Sequence, residues 1–283
     1  MAILPGIGGN EMKVTLYIFG MGWPEKKEKV ERLFEQVGRG DLKRYYHLVA
    51  PASENRIIPS AEYRPTFFGD DPALKQIVDA LEELDIQYRI DRHYTRDELY
   101  KAELLSLIVT GTVGNRKNNP YDETKMCRYC RRPRIQIDDI VIDKKLMGRK
   151  DIAATYELEI IITERLASLF EEAKFTGYTL RPVHHYSRRL KKEPILYQLV
   201  PTYTLPSAAS PPTRVRVCPV CGKPILNPFT EIFYHQEDLQ RTDIRDFNVA
   251  WEGWPVIINQ RVYRLLVEHK IRKFKVEIMH ILD

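Results

Sequence analysis

Four cysteines constrain this chain more than any other feature. They stand as two Cys-x-x-Cys pairs, Cys127 and Cys130 in "KMCRYCRRPR", Cys218 and Cys221 in "VCPVCGKPI", and the 283-residue sequence has no others. A Cys-x-x-Cys turn presents two thiolates from one tight loop, and two such turns brought together make a closed tetrahedral zinc site of the structural kind. In the second pair Gly222 follows the last cysteine, where a positive φ lets backbone N–H groups point at the sulfurs. The first pair has Arg131 at that position, which predicts a less regular knuckle.

Three other uses of the cysteines compete. Thioredoxin-like redox chemistry needs its Cys-x-x-Cys at the start of a helix, and Pro133, Pro224 and the β-rich flanks disfavour one. Structural disulfides need an oxidising compartment, and no export signal is evident in "MAILPGIGGNEMKVTLYIFG". Two separate metal sites would each have to borrow histidines, with His184, His185 and His235 as the possible donors. One site built from Cys127, Cys130, Cys218 and Cys221 is the preferred expectation, because it uses every cysteine without remainder.

The spacing of the pairs belongs to a larger repeat. Residues 160–180, "IIITERLASLFEEAKFTGYTL", lie over 256–276, "VIINQRVYRLLVEHKIRKFKV", without a gap at an offset of 96. Ile162 meets Ile258, Arg165 meets Arg261, Glu172 meets Glu268 and Tyr178 meets Phe274. Each copy reads as a strand, an N-capping Thr163 or Asn259, a three-turn helix and a returning strand. The cysteine pairs are offset by 91, so the expected duplicated unit is a Cys-x-x-Cys, about thirty residues, then strand–helix–strand. The Pro/Ser-rich "LPSAASPPTRVRV" between the expected copies reads as a linker or exposed loop.

The first part of the chain follows a different pattern. "KVTLYIF" is a strand, "PEKKEKVERLFEQVG" and "DDPALKQIVDALEELD" are amphipathic helices, and Asp71 is the candidate cap of the second. "TRDELYKAELLSLIVTG" reads as one more capped helix closing at Gly111, and the turn-rich "TVGNRKNNPYDET" after it as a domain boundary. The expectation is therefore an α+β protein: an N-terminal αβ domain, 1–115, and a duplicated domain with a split zinc ribbon, 116–283.

Charge divides along the same line. Residues 1–115 carry 15 basic and 18 acidic side chains, whereas 116–283 carry 29 and 21. Within the basic half, Arg128, Arg131, Arg132 and Arg134 surround the first knuckle, and Arg188, Arg189, Lys191 and Lys192 form a second cluster. Beside aromatics, such a surface suits nucleic acid or an acidic protein partner, and a merely solvated face is the plainer reading. No run approaches the ~18 apolar residues of a membrane span. No nucleophile with a base, phosphate loop or Gly-x-Ser-x-Gly setting stands out, and "IDDIVID" places Asp139 and Asp143 on one face of a strand. A closed four-thiolate site has no open coordination position, so binding is favoured over catalysis.

Residues 120–283 resemble the bacterial proteins described by a double Cys-x-x-Cys-Gly motif, through "CRYC", "CPVCG", "ITERLASLFEEAKFTGYTLRPV" and "WEGWPVIINQRVYRLLVEHKIRKFKVEIM". Some members of that family are immunity proteins that neutralise a toxin delivered between neighbouring cells. The resemblance implies a non-enzymatic protein-binding role in a bacterial cytoplasm, with Cys127, Cys130, Cys218 and Cys221 as the matching motif positions. A zinc-ribbon protein acting on nucleic acid is the rival expectation, and a thiol redox protein comes third.

Overall fold

The computed structural model describes residues 12–50, 60–69, 71–187, 194–206, 215–226, 233–250 and 255–282. The chain divides into two compact units between Leu99 and Tyr100. That division falls earlier than the 115/116 boundary read from the turn-rich segment, and the reason lies in "ELLSLIV". The helix expected over this stretch is only α3 (Arg96–Lys101), started by a Thr95–Glu98 capping box, and the chain then becomes strand β6 (Leu104–Val109). Leu104, Leu105, Ser106 and Leu107 are all buried, as a strand covered on both faces requires. β6 is a central strand of the second unit, so the boundary must precede it.

In the first unit, β1 (Lys13–Phe19) alternates burial along its length and sits at the centre of an antiparallel sheet. β3 (Ser60–Tyr63) and β4 (Thr66–Phe68) run along one side of it in a single continuous register; Arg64 and Pro65 separate them. β5 (Tyr88–His93) lies along the other side, and β2 (Tyr46–Ala50) pairs with β3. With α1 (Pro24–Gln36) after β1 and α2 (Pro72–Glu83) before β5, the order is that of a ferredoxin-like βαββαβ plait. Val14, Leu16 and Ile18 of the sheet pack with Val30, Leu33 and Phe34 of α1 and Ile77 and Leu81 of α2. Asp71 caps α2 as expected: its carboxylate accepts from the Ala73 N–H at 2.9 Å.

The second unit holds two sheets built to one plan. The first has the order β7 (Ile140–Ile142), β10 (Tyr178–His185), β11 (Leu196–Pro201), β9 (Ile160–Thr163), β8 (Ile152–Ala154). The second has β17 (Phe274–Ile278), β6, β16 (Val256–Asn259) and β15 (Phe247–Val249) in the corresponding places. Beyond β17, β18 (His280–Leu282) pairs in parallel with β14 (Phe233–His235), as the end of β10 pairs with β7. Helices α4 (Glu164–Glu172) and α6 (Gln260–Glu268) begin and end 96 residues apart, capped by Thr163 and Asn259. Lys174 and Lys270, which follow them, both have positive φ (53° and 55°).

The middle strands reveal an exchange. β11 pairs with β9 and β10, and β6 pairs with β16 and β17, in the same register at an offset of 92: Leu199 faces Ile160 and Leu180, and Leu107 faces Val256 and Val276. β11 follows β10 in the chain, whereas β6 precedes everything else in the unit. The strand before each knuckle therefore completes the sheet whose other strands follow the other knuckle in the chain. After β6, the Val113 N–H donates to Ala154 O at 2.9 Å on β8; after β11, the Leu205 N–H donates to Val249 O at 2.9 Å on β15.

A reciprocal clasp joins the two helices. Arg165 Nη2 donates to the His269 carbonyl at the end of α6, and Arg261 Nη2 to the Ala173 carbonyl at the end of α4, both at 3.1 Å. A cation there also complements the negative end of the helix dipole.

Candidate metal centre

Each Cys-x-x-Cys sits at the tip of a hairpin. In the second, β12 (Val215–Val217) leads in and β13 (Pro224–Leu226) leads out. The first hairpin is closed by a bridge between Tyr121 and Gln136 and by Asp122 N–H donating to Ile135 O at 2.9 Å. Both tips make the same turn. Cys127 N–H donates to Arg132 O (2.9 Å) and Arg131 N–H to Cys127 O (2.9 Å); Cys218 N–H donates to Lys223 O (2.7 Å) and Gly222 N–H to Cys218 O (3.0 Å). The irregular first knuckle expected from Arg131 is not what forms, because Arg131 accepts φ 57°, close to the 70° of Gly222.

The turns face each other. Cys127 Sγ lies 3.7 Å from Cys218 Sγ, Cys130 Sγ 3.6 Å from Cys221 Sγ, and all four sulfurs fall within 4.8 Å of one another. These separations are far beyond the ~2.05 Å of a disulfide bond. A metal–sulfur tetrahedron with arms of ~2.3 Å has edges of about 3.8 Å, which matches both short pairs. The four cysteines are therefore close enough to hold a metal ion, and no other cluster of three or more ligand-type side chains occurs among the described residues.

The electrostatics of the sulfurs favour sharing a cation. Backbone N–H groups of Cys130 and Tyr129 point at the Cys127 sulfur and bring its pKa down to about 6. Cys218 is also lowered: burial opposes ionisation, and the N–H groups of Cys221 and Val220 more than offset it. The Lys223 N–H favours the Cys221 thiolate, but burial and hydrogen bonds with the other three sulfurs push it up to about 12. In a metal-free cluster the charges cannot all form together, and a divalent cation removes that conflict by displacing the remaining protons.

The first knuckle is tied to its sheet through Tyr121. The guanidiniums of Arg116 and Arg134 lie over its ring, 5.1 and 5.5 Å from the centroid. Its hydroxyl donates to Glu159 at 2.8 Å, just before β9, and Arg116 Nε lies 3.2 Å from the same carboxylate. Burial and the Glu159 charge both raise the tyrosine pKa, so the hydroxyl keeps its proton. Sequence reasoning missed this anchor, since nothing local links Tyr121 to a residue 38 positions away.

The histidines lie outside the sulfur cluster. His184 is exposed and meets Asp139 at 3.1 Å, and the His185 side chain is buried, its Nδ1 accepting from the Lys144 N–H at 3.2 Å. Neighbours in a strand face opposite ways, which the pair illustrates. His235 is exposed at the end of β14 and belongs to no ligand group. The two aspartates of "IDDIVID" are both partly exposed: Asp139 also meets Arg181 at 3.5 Å, and Asp143 accepts from the Lys145 N–H at 3.1 Å. Arg128, Arg131 and Arg134 are exposed around the first knuckle and Arg132 is half-buried. The second basic cluster, Arg188, Arg189, Lys191 and Lys192, lies outside the described residues.

The fold and site together define an α+β protein with a four-cysteine centre competent to bind metal. A scan against protein-family models matches none, and a search of curated proteins finds no significant match. No helix among the described residues is long and apolar enough to cross a membrane.

Proposed function

We propose that Cys127, Cys130, Cys218 and Cys221 hold one structural zinc ion, and that the chain is a non-enzymatic binding protein of the toxin-neutralising immunity type, acting in a bacterial cytoplasm. The observation that carries the zinc reading is the cluster of four sulfurs within 4.8 Å of one another, with separations of 3.7 and 3.6 Å between turns 91 residues apart. Softness of the donor set selects zinc over hard cations. The site is closed, so the ion would serve as a staple, joining the knuckle of one copy to that of the other and adding its binding free energy to folding. The matching registers of the two sheets support an origin by internal duplication. The immunity role rests on the resemblance of residues 120–283 to the double Cys-x-x-Cys-Gly proteins.

The zinc reading is tested by the metal content of protein purified without added metal, with thiol titration before and after unfolding. One zinc per chain and four thiols that become reactive together support it; absence of metal, with a disulfide that cycles under mild reductant, overturns it in favour of redox chemistry. The binding role is tested by co-expressing the chain with a toxin encoded beside it. Rescue of growth supports neutralisation. Salt-sensitive binding to mixed oligonucleotides would instead favour the nucleic-acid rival.

A further inference from the structure

The two close sulfur contacts of the metal centre differ in access to solvent. Cys218 is 1% exposed and Cys127 half-buried, so their 3.7 Å contact is on the protected side of the cluster. Cys221 is exposed and Cys130 half-buried, and their 3.6 Å contact is open to solvent. Both contacts run between the knuckles, across 91 residues of chain. A metal keeps its cysteine ligands deprotonated outright, and a thiolate that solvent can reach is the species that peroxides oxidise. Cys221 meets both conditions, whereas Cys218 meets only the first.

We propose that Cys221 is an oxidation site for hydrogen peroxide or an organic hydroperoxide, and that the product is a Cys130–Cys221 disulfide which takes over the stapling role as the zinc leaves. This rests on the zinc reading above. The Cys221 thiolate attacks one peroxide oxygen and the O–O bond breaks. The sulfur becomes a sulfenic acid, and the other oxygen departs as hydroxide or alkoxide, which takes a proton from solvent. The Cys130 thiolate then attacks that sulfur, the S–S bond forms, and the sulfenic oxygen leaves as hydroxide, which is protonated to water. The two sulfurs give up two electrons, the peroxide accepts them, and zinc stays divalent throughout. With two of its four ligands gone the ion dissociates, and Cys127 and Cys218 take protons from solvent as thiols.

Geometry favours the bond between knuckles over a bond within one. A disulfide needs its sulfurs ~2.05 Å apart, so the outer pair has to close by about 1.5 Å. Each Cys-x-x-Cys turn is pinned by two hydrogen bonds that engage both the N–H and the carbonyl of its first cysteine. A bond within a turn pulls on that loop. A bond between knuckles needs only a small movement of one hairpin against the other, with neither turn rebuilt. Because the new bond joins the same two hairpins as the metal, it still closes the long loop between them, and the oxidised chain keeps its fold.

The test is titration of the full-length, zinc-loaded chain with hydrogen peroxide. Zinc release is read with a chromogenic chelator, and disulfides are mapped by mass spectrometry after alkylation and proteolysis without reductant. Zinc is expected to leave in step with added peroxide, with Cys130 bonded to Cys221, and Cys127 and Cys218 alkylated. Thermal unfolding of the oxidised chain should stay cooperative, and reductant with added zinc should restore the starting state. Cys221→His keeps a zinc donor at the outer corner without its sulfur. It should release zinc about tenfold or more slowly than Cys218→His, which loses an inner sulfur and spares the outer pair. The wild-type disulfide map decides even where a histidine fails to hold zinc. Zinc retained through a large excess of peroxide overturns the proposal while the zinc reading stands. So does a disulfide within either turn or between Cys127 and Cys218, or equal release from the two variants. An oxidised chain that no longer unfolds cooperatively overturns the stapling role. Wild-type protein that carries no zinc as purified removes the zinc reading and this one together.

Discussion

Arg131 holds the same left-handed backbone conformation, φ 57°, that Gly222 holds at φ 70° in the matching turn of the other knuckle. An L-residue with a side chain is strained there by ~1–2 kcal/mol, and glycine is not. Arg131→Gly is therefore expected to stabilise the protein slightly, by up to about 1 kcal/mol, once the greater freedom of glycine in the unfolded chain and the loss of the exposed Glu123 contact are set against the strain. Gly222→Ala should cost about 1 kcal/mol. Urea unfolding of the zinc-loaded variants measures both, and a destabilised Arg131→Gly protein would contradict the strain argument.

Metal retention should depend on pH in a defined direction. Every sulfur must be deprotonated to bind, and Cys221 starts with its pKa pushed up to about 12, so zinc affinity falls as pH falls. Loss should become steep near pH 6, where Cys127 also takes a proton. In metal-free protein the lowered Cys127 pKa contributes stability that is complete above the unfolded value of about 8.5 and disappears as pH falls through about 6. Zinc release followed with a chromogenic chelator across this range, and unfolding of the apo protein at each pH, check the two statements separately.

Gly177 is the position where a single methyl group should do most harm. It has φ 85°, and a Cβ would stand 2.1 Å from the Phe247 carbonyl oxygen and 2.5 Å from Arg245 Cβ. Backbone cannot move aside as a flexible side chain can, so Gly177→Ala is expected to cost about 2–4 kcal/mol, combining left-handed strain with overpacking. Lys273, 96 residues on and likewise after a helix, has φ 74°, and Lys273→Gly should be neutral to stabilising. Denaturant midpoints of the two variants should move in opposite directions or differ by several tenths of a molar.

The two equivalent aspartates should differ in weight. Asp246 has a side chain only 3% exposed and accepts from the Thr176 N–H (2.8 Å), Thr176 Oγ1 (3.0 Å), Asn259 Nδ2 (2.9 Å) and Arg261 Nη1 (3.0 Å). Removing it in Asp246→Ala leaves these donors unmet and should cost about 3 kcal/mol. Asp151 receives Thr163 Oγ1 and Arg165 at 3.2 and 3.1 Å with its side chain 25% exposed, so water can replace it, and Asp151→Ala should cost about 1 kcal/mol. Thermal unfolding of the two variants under one condition decides whether burial sets the difference.

Local and periodic features were legible in the residues alone. Asp71, Thr163 and Asn259 cap the helices they were expected to cap, because an oxygen-bearing side chain before an amphipathic run finds its N–H donors within three residues. The 96-residue offset of strand, helix and strand was legible because each element carries its own period. The pairing of the knuckles was legible because four cysteines admit few arrangements that leave none over. Tertiary structure alone decided where "ELLSLIV" belongs. An apolar run buried on both faces has no alternation to separate strand from helix, and its partners Val256–Asn259 and Phe274–Ile278 lie more than 140 residues away. The same non-local pairing puts β6 in the sheet of β15, β16 and β17 and β11 in that of β8, β9 and β10, since which sheet a central strand completes is fixed by the register it finds and not by the residues beside it in the chain.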